Sequence, residues 1–269
     1  MNDALEIQSN DKITCLWCSL DAETSKLSFL KKAHTIPQSL GGKFLCKEVC
    51  DTCNHYFGSP GFNKMAIEVI LREAFELTRN MVFTNQKKRS NHYARFKSNF
   101  FKLNVENRTF SLKQIYSIRP GFQQMIARQF KRGLFKVFLE ELQRQLGMGM
   151  GDRFNFIREF ARYDLGDYPV FYLVPKLPVL AYVEEEFIAP RLNFGPYQLE
   201  RIDAYEFYEM NIFGHAFLIP THKNWHLNYD AYLANVNNYL SHEYKKMIPI
   251  NAFEDVDFAC EFMNSKGST

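Results

Sequence analysis

The spacing of apolar side chains changes period several times along this chain. Between residues 26 and 36, KLSFLKKAHTI alternates in part, which predicts a strand, and FLCKEV predicts a second short strand. Pro37 and the Gly41-Gly42 pair break the run between them and predict a loop. From Asp51 the pattern turns helical. It is interrupted at 58–61 (GSPG) and resumes over 62–79, where Phe62, Met65, Ile67, Ile70, Leu71, Phe75 and Leu77 fall at helical spacing. Residues 81–92 read as a linker or exposed loop. FKLNVEN and RTFSLKQI alternate again and predict a hairpin turning near Asn107. The clearest helix covers 121–146, with Phe122, Met125, Ile126, Phe130, Leu134, Val137, Phe138 and Leu142 at three- and four-residue steps. GMGMGD at 147–152 predicts its stop. Helix returns over 154–163. The runs DYPVFYLV, PVLAYV and GHAFLIP within 168–220 predict strands, and a last helix is expected around 229–246. The pattern is that of an α+β protein: an N-terminal unit over 12–80, a boundary near 80–92, and a mixed α+β portion over 93–269.

Composition narrows the class. At 46% apolar and 23% charged, the chain is ordinary for a globular protein and argues against global disorder. No apolar run approaches the roughly 18 residues of a membrane span. MNDALEIQSNDK lacks a basic region followed by an apolar one, so no secretory signal is expected and a cytoplasmic setting is. Six cysteines in such a setting point to metal binding rather than to disulfides.

The net charge of +3 hides an uneven distribution. Residues 85–132 hold twelve Lys and Arg against one acidic residue, with Tyr93, Phe96, Phe100, Phe101 and Phe110 interleaved. Such a block suits a polyanion, and Lys87, Lys88, Arg89, Arg95, Lys97, Arg128, Lys131 and Arg132 are its candidate nucleic-acid-binding residues. A solvated basic face is the plainer alternative.

The strongest local signal is Cys15-Leu-Trp-Cys18 with Cys50-Asp-Thr-Cys53. Two C-x2-C pairs can bring four thiolates to one tetrahedral Zn²⁺. A redox role is disfavoured, because two such pairs are present and no thioredoxin-like βαβ pattern surrounds them. Cys46 competes as a ligand but reads better as a buried strand residue, and Cys260 as a core residue. The 31 residues between the pairs exceed an ordinary zinc-ribbon spacing and enclose Ala33-His34-Thr35-Ile36-Pro37-Gln38-Ser39-Leu40-Gly41-Gly42. Asn54 and His55 directly follow the second pair.

These residues resemble the HNH endonucleases of the ββα-metal fold with a four-cysteine zinc site. His34, Pro37, Gly41, Gly42, Cys50, Cys53 and Asn54 stand where that family's motif has them, and the resemblance covers roughly residues 12–60. It implies a structural Zn²⁺ on Cys15, Cys18, Cys50 and Cys53. It implies His34 as general base, and Asn54 opposite it as a second catalytic residue. It also implies a catalytic Mg²⁺ or Mn²⁺, for which Asn54, Asn63 and His55 are the candidate ligands. An imidazole titrates near neutrality and can take a proton from water at pH 7. The implied activity is hydrolysis of DNA, with RNA as an alternative substrate, in restriction or anti-phage defence, and the chain is a candidate homodimer. The sequence departs from the family at Ala33. Many members have Asp, Glu or His there as an ion ligand, and alanine cannot serve. A zinc module that binds nucleic acid or protein without cutting is therefore the alternative. Elsewhere, His222 and His226 and the run Glu184–Glu186 read as packing or surface features.

Overall fold

The structure, a computed structural model, describes residues 13–59, 65–87, 97–104, 109–114, 121–176 and 190–256. In chain order its helices are α1 (Asp51–Gly58), α2 (Ile67–Lys87), α3 (Phe122–Leu146), α4 (Asn155–Tyr163), α5 (Pro196–Tyr205) and α6 (Tyr229–Glu243). Its strands are β1 (Phe101–Asn104), β2 (Thr109–Leu112), β3 (Phe171–Pro175), β4 (Phe207–Ile212), β5 (His215–Pro220) and β6 (Tyr244–Pro249).

Helix α3 is the axis of the fold. It is buried on nearly every side, so its polar residues are inside as well as its apolar ones: Arg132, Lys136, Glu140 and Glu141 lie in the interior beside Phe130, Leu134, Phe135 and Phe138. A helix buried all round must pair its charges, because an unpaired ion in the interior is expensive. At Gly133 the side chain of Leu71 from α2 occupies the place a Cβ would take, 2.7 Å away, so the two helices touch through a glycine. Gly147, at φ 68°, ends α3 and donates its N–H to the Gln143 carbonyl. On another side α4 packs through Phe160, whose ring meets that of Phe135 edge-on at 5.5 Å.

Strands β3 to β6 form one antiparallel sheet in the order β4-β5-β3-β6. Its two faces follow from alternation. Tyr172, Val174, Tyr208, Met210 and Phe217 face the main core, where Phe217 meets Phe130 of α3 at 5.6 Å. Phe171, Leu173, Phe207 and Leu218 face the other way and are covered by Tyr232 and Val236 of α6. The β4–β5 turn is Phe213-Gly214, both residues at positive φ (52° and 76°), as a two-residue type I′ hairpin requires. The main apolar core runs from Cys15 to Val256, so the cysteine segment and the sheet share it.

The structure corrects several expectations. Residues 26–36 and 44–49 are not regular strands. They meet at a single bridge, His34 with Leu45, flanked by the bonds Thr35 N–H to Phe44 O (3.1 Å) and Cys46 N–H to Ala33 O (3.0 Å). Proline cannot donate to a ladder, and Pro37 starts the tight turn at the tip. The linker expected at 81–92 is helix as far as Lys87, and 88–92 lie outside the described residues. The last helix stops at Glu243, and β6 follows at once. Strand β4 and helix α5 were not expected. PVLAYV lies outside the described residues. The β1–β2 pairing matches the expected hairpin, with Asn104 opposite Thr109. No described helix is long and apolar enough to cross a membrane.

Candidate functional site

The four cysteines come together. The Sγ atoms of Cys15, Cys18, Cys50 and Cys53 all lie within 4.8 Å of one another. A tetrahedral ion with metal–sulfur bonds of about 2.3 Å needs sulfur–sulfur edges of about 3.8 Å; Cys18 and Cys50 stand 4.0 Å apart. The donor set therefore fits zinc. Two donors face the sulfurs: the Cys50 N–H donates to Cys15 Sγ (3.4 Å), and Arg162 Nε donates to Cys53 Sγ (3.4 Å), while burial pushes the Cys18 thiol up. Hydrogen bonding with Cys53 pulls the Cys15 thiol down to about 4, against the opposing effect of burial. Cys46 is outside the cluster. It is buried, it donates to Glu48 Oε2 (3.6 Å), and burial pushes its thiol up. Cys260 lies outside the described residues.

The segment between the cysteine pairs forms a short hairpin whose tip needs both glycines. Gly41 sits at φ 90°, in the left-handed region. At Gly42 a Cβ would run into the Ile36 carbonyl. His34 lies on the outgoing arm, partly buried, and among the described residues its imidazole makes no hydrogen bond. Ala33 beside it is 2% exposed, packed into the core. Asn54 lies on α1, one residue past the last cysteine, and its Nδ2 donates to the Lys32 carbonyl (3.4 Å). Asp51, in the first turn of the same helix, accepts from the Ser28 hydroxyl (2.6 Å) and the Lys31 N–H (2.7 Å). The Ser28 bond comes first among the causes that hold the Asp51 carboxyl below its usual range. Helix α1 thus grips the arm ahead of His34 at three points. Lys31 and Lys32 on that arm are exposed.

The candidate ligands for a catalytic ion are less well assembled. His55 is exposed, with its Nδ1 3.1 Å from the Ser59 hydroxyl. Asn63 lies outside the described residues. Among the described residues the four cysteines are the one group of three or more His, Cys, Asp or Glu side chains placed to hold an ion.

The basic block needs correction. Arg132 is 1% exposed and donates to the Phe160 and Ala161 carbonyls, Gln129 and the Tyr56 hydroxyl. Lys131 is also buried and pairs with Asp167 (2.9 Å). Arg128 donates to Asp164 Oδ1 (2.8 Å) and to the Gly166 carbonyl (2.7 Å). These three hold α3 to α4 and the loop after it, because α3 is central rather than superficial. Lys97 is exposed. Lys88, Arg89 and Arg95, and the side chain of Lys87, lie outside what the structure describes.

Sequence reasoning missed the residues behind the hairpin. Lys136 Nζ donates to the His34 carbonyl (2.6 Å) and pairs with Glu140 (3.0 Å) and Glu68 (3.2 Å). Trp17, between the first two cysteines, donates its Nε1 to Glu140 Oε1 (2.9 Å). Arg158 donates to the Leu16 carbonyl (2.8 Å). The one available signal was the four-residue spacing of Lys136 and Glu140 on α3.

Residues 15–60, which hold this four-sulfur frame, the glycine-tipped histidine hairpin and the short helix, match the protein-family model described as HNH endonuclease. The match points to a nuclease-type function, with nucleic acid as the class of substrate. Comparison with curated proteins and with solved structures finds no match.

Proposed function

We propose that this protein is a metal-dependent endonuclease that hydrolyses DNA phosphodiester bonds, with His34 as general base. The observation that carries the reading is the bond from Asn54 Nδ2 to the Lys32 carbonyl. It ties the helix that follows the second cysteine pair to the arm that presents the imidazole. The Asp51 bonds to Ser28 and Lys31 support the same arm. A ring nitrogen of His34 that no described residue engages is open to a water, and can take its proton as that water attacks phosphorus. Exposed Lys31 and Lys32 supply positive charge toward the phosphate. Zinc on Cys15, Cys18, Cys50 and Cys53 supplies a cross-link between the first cysteine turn and α1. A divalent ion at the phosphate supplies charge for the departing oxygen. Restriction or anti-phage defence is the setting we propose for such an enzyme, by analogy with the family.

Plasmid cleavage with Mg²⁺, Mn²⁺ and Ni²⁺ in turn tests the reading. Wild type nicks DNA with at least one ion, and His34→Ala lowers the rate by about 100-fold or more. If no ion supports cutting of DNA or RNA by wild type, the reading falls. A second reading, a zinc module that binds nucleic acid without cutting, is favoured by the buried methyl of Ala33 where an ion ligand would stand. It predicts salt-sensitive DNA binding, retained in His34→Ala, with no cleavage.

A further inference from the structure

We infer that Lys136 is a positioning residue for His34, so that the long helix α3 is part of the cleavage site rather than a neighbour of it. The inference rests on the nuclease reading for its catalytic half and on geometry for its structural half.

In the His34–Leu45 bridge the flanking bonds belong to Ala33 and Thr35. Successive residues of an extended arm face opposite edges. The His34 carbonyl therefore turns away from the partner arm, toward the protein interior. A buried carbonyl there needs a donor. Lys136, 102 residues on and 1% exposed, provides it at 2.6 Å, with the Thr35 carbonyl also within 3.3 Å. A charged donor makes a stronger bond than a neutral one.

The ammonium group is fully engaged. It donates to the His34 carbonyl and forms ion pairs with Glu68 of α2 and Glu140 of α3. Its Nζ lies over Phe57 of α1, 5.9 Å from the ring centroid. Glu140 is shared: its other oxygen accepts from Trp17, inside the first cysteine turn. Two hydrogen bonds and the ion pair between them therefore connect the cysteine turn, through Trp17, Glu140 and Lys136, to the backbone of His34. Helix α1 holds the arm ahead of the histidine from one side, and this connection holds the histidine itself from behind. The direction of the imidazole follows from where its backbone is held, and a displacement of about 1 Å at a reacting group can cost on the order of 100-fold in rate.

The test compares wild type with Lys136→Met. Because that change leaves the buried Glu140 and the partly exposed Glu68 without their shared cation, Lys136→Met with Glu140→Gln is measured beside it. Amide hydrogen exchange is read at Thr35 and Cys46, whose bonds close the bridge, and at Leu16 and Ser19 in the cysteine turn. Exchange is expected to quicken by about 10-fold or more at Thr35 and Cys46 and to hold at Leu16 and Ser19, with one zinc retained. In cleavage, kcat drops by about 10- to 100-fold with KM unchanged, and adding His34→Ala to either variant causes no further loss beyond His34→Ala alone. Unchanged exchange at Thr35 and Cys46, or a full kcat, overturns the inference. A wild type that never cuts removes the nuclease reading, and the exchange data then decide the clamp by themselves.

Discussion

Arg162 Nε lies 3.4 Å from Cys53 Sγ, and its guanidinium rests 4.0 Å from the centre of the Tyr56 ring. The aromatic ring fixes the cation, and the cation faces a sulfur that must be a thiolate when it binds a metal. Four thiolates around one divalent ion leave two negative charges, and a positive donor on one sulfur offsets part of that excess. Partners at this distance are worth about 10- to 100-fold in metal affinity. Arg162→Gln is therefore expected to purify with one zinc but to surrender it about 10-fold more readily to a colorimetric chelator. Equal release from variant and wild type would show that the guanidinium serves packing alone.

Zinc itself is expected at one ion per chain by elemental analysis. Binding at such sites contributes on the order of 10 kcal/mol to the folding of small zinc units. Cys15→Ser should leave less than half an equivalent of zinc and lower the melting temperature by more than about 10 °C. The effect should extend to α3 and α4, because Trp17 and Leu16, close to Cys15, bond to Glu140 and Arg158. Cys46→Ser keeps its zinc, since that thiol is outside the cluster.

Gly41 and Gly42 should respond differently to alanine. At Gly41 the cost is that of a left-handed alanine, about 1 kcal/mol. At Gly42 the new methyl meets a carbonyl that cannot swing aside without opening the hairpin, so the cost is expected at about 2 to 3 kcal/mol. Urea unfolding of the two variants gives the order directly. A Gly42→Ala protein as stable as Gly41→Ala would mean that the tip relaxes freely.

His215 is fully buried between Thr78 Oγ1 (3.1 Å) and the Tyr172 hydroxyl (3.2 Å), and burial lowers it to about 3. Its folded value lies below the unfolded value of 6.5. The stability it contributes is therefore present above pH 6.5 and lost as pH falls toward 3. Glu140 acts oppositely: burial raises it to about 7, so its contribution is full below 4.5 and lost as pH rises through 7. The two partly cancel in the wild type. Against that background, His215→Gln should remove the acid-side loss, so the gap in melting temperature between wild type and variant narrows as pH drops from 6.5 to 4. A constant gap across that range would mean that the ring takes up a proton without cost.

Much of this molecule was legible from one-dimensional spacing. The cysteine pairs announced a metal frame because four thiolates at C-x2-C spacing serve few other ends, and in space their sulfurs converge. Helix α3 and its stop at Gly147 followed from periodicity and a left-handed cap, both local properties. Short apolar runs marked β3 and β5, whose side chains divide between two cores. Strand β4 was hidden because its turn uses Phe213 at positive φ, which no turn preference would suggest.

What only the tertiary structure decided was where the charges on α3 go. In the sequence, Arg128, Lys131, Arg132 and Lys136 are alike: cations on a long helix, suited to phosphate. In the fold, that helix is enclosed by α2, α4, the sheet and the cysteine segment, and each cation meets a carboxylate or carbonyl from a partner far along the chain. Burial is a property of the assembled neighbours rather than of the residue, so no reading of the helix alone could tell a surface lysine from one that holds the backbone of His34.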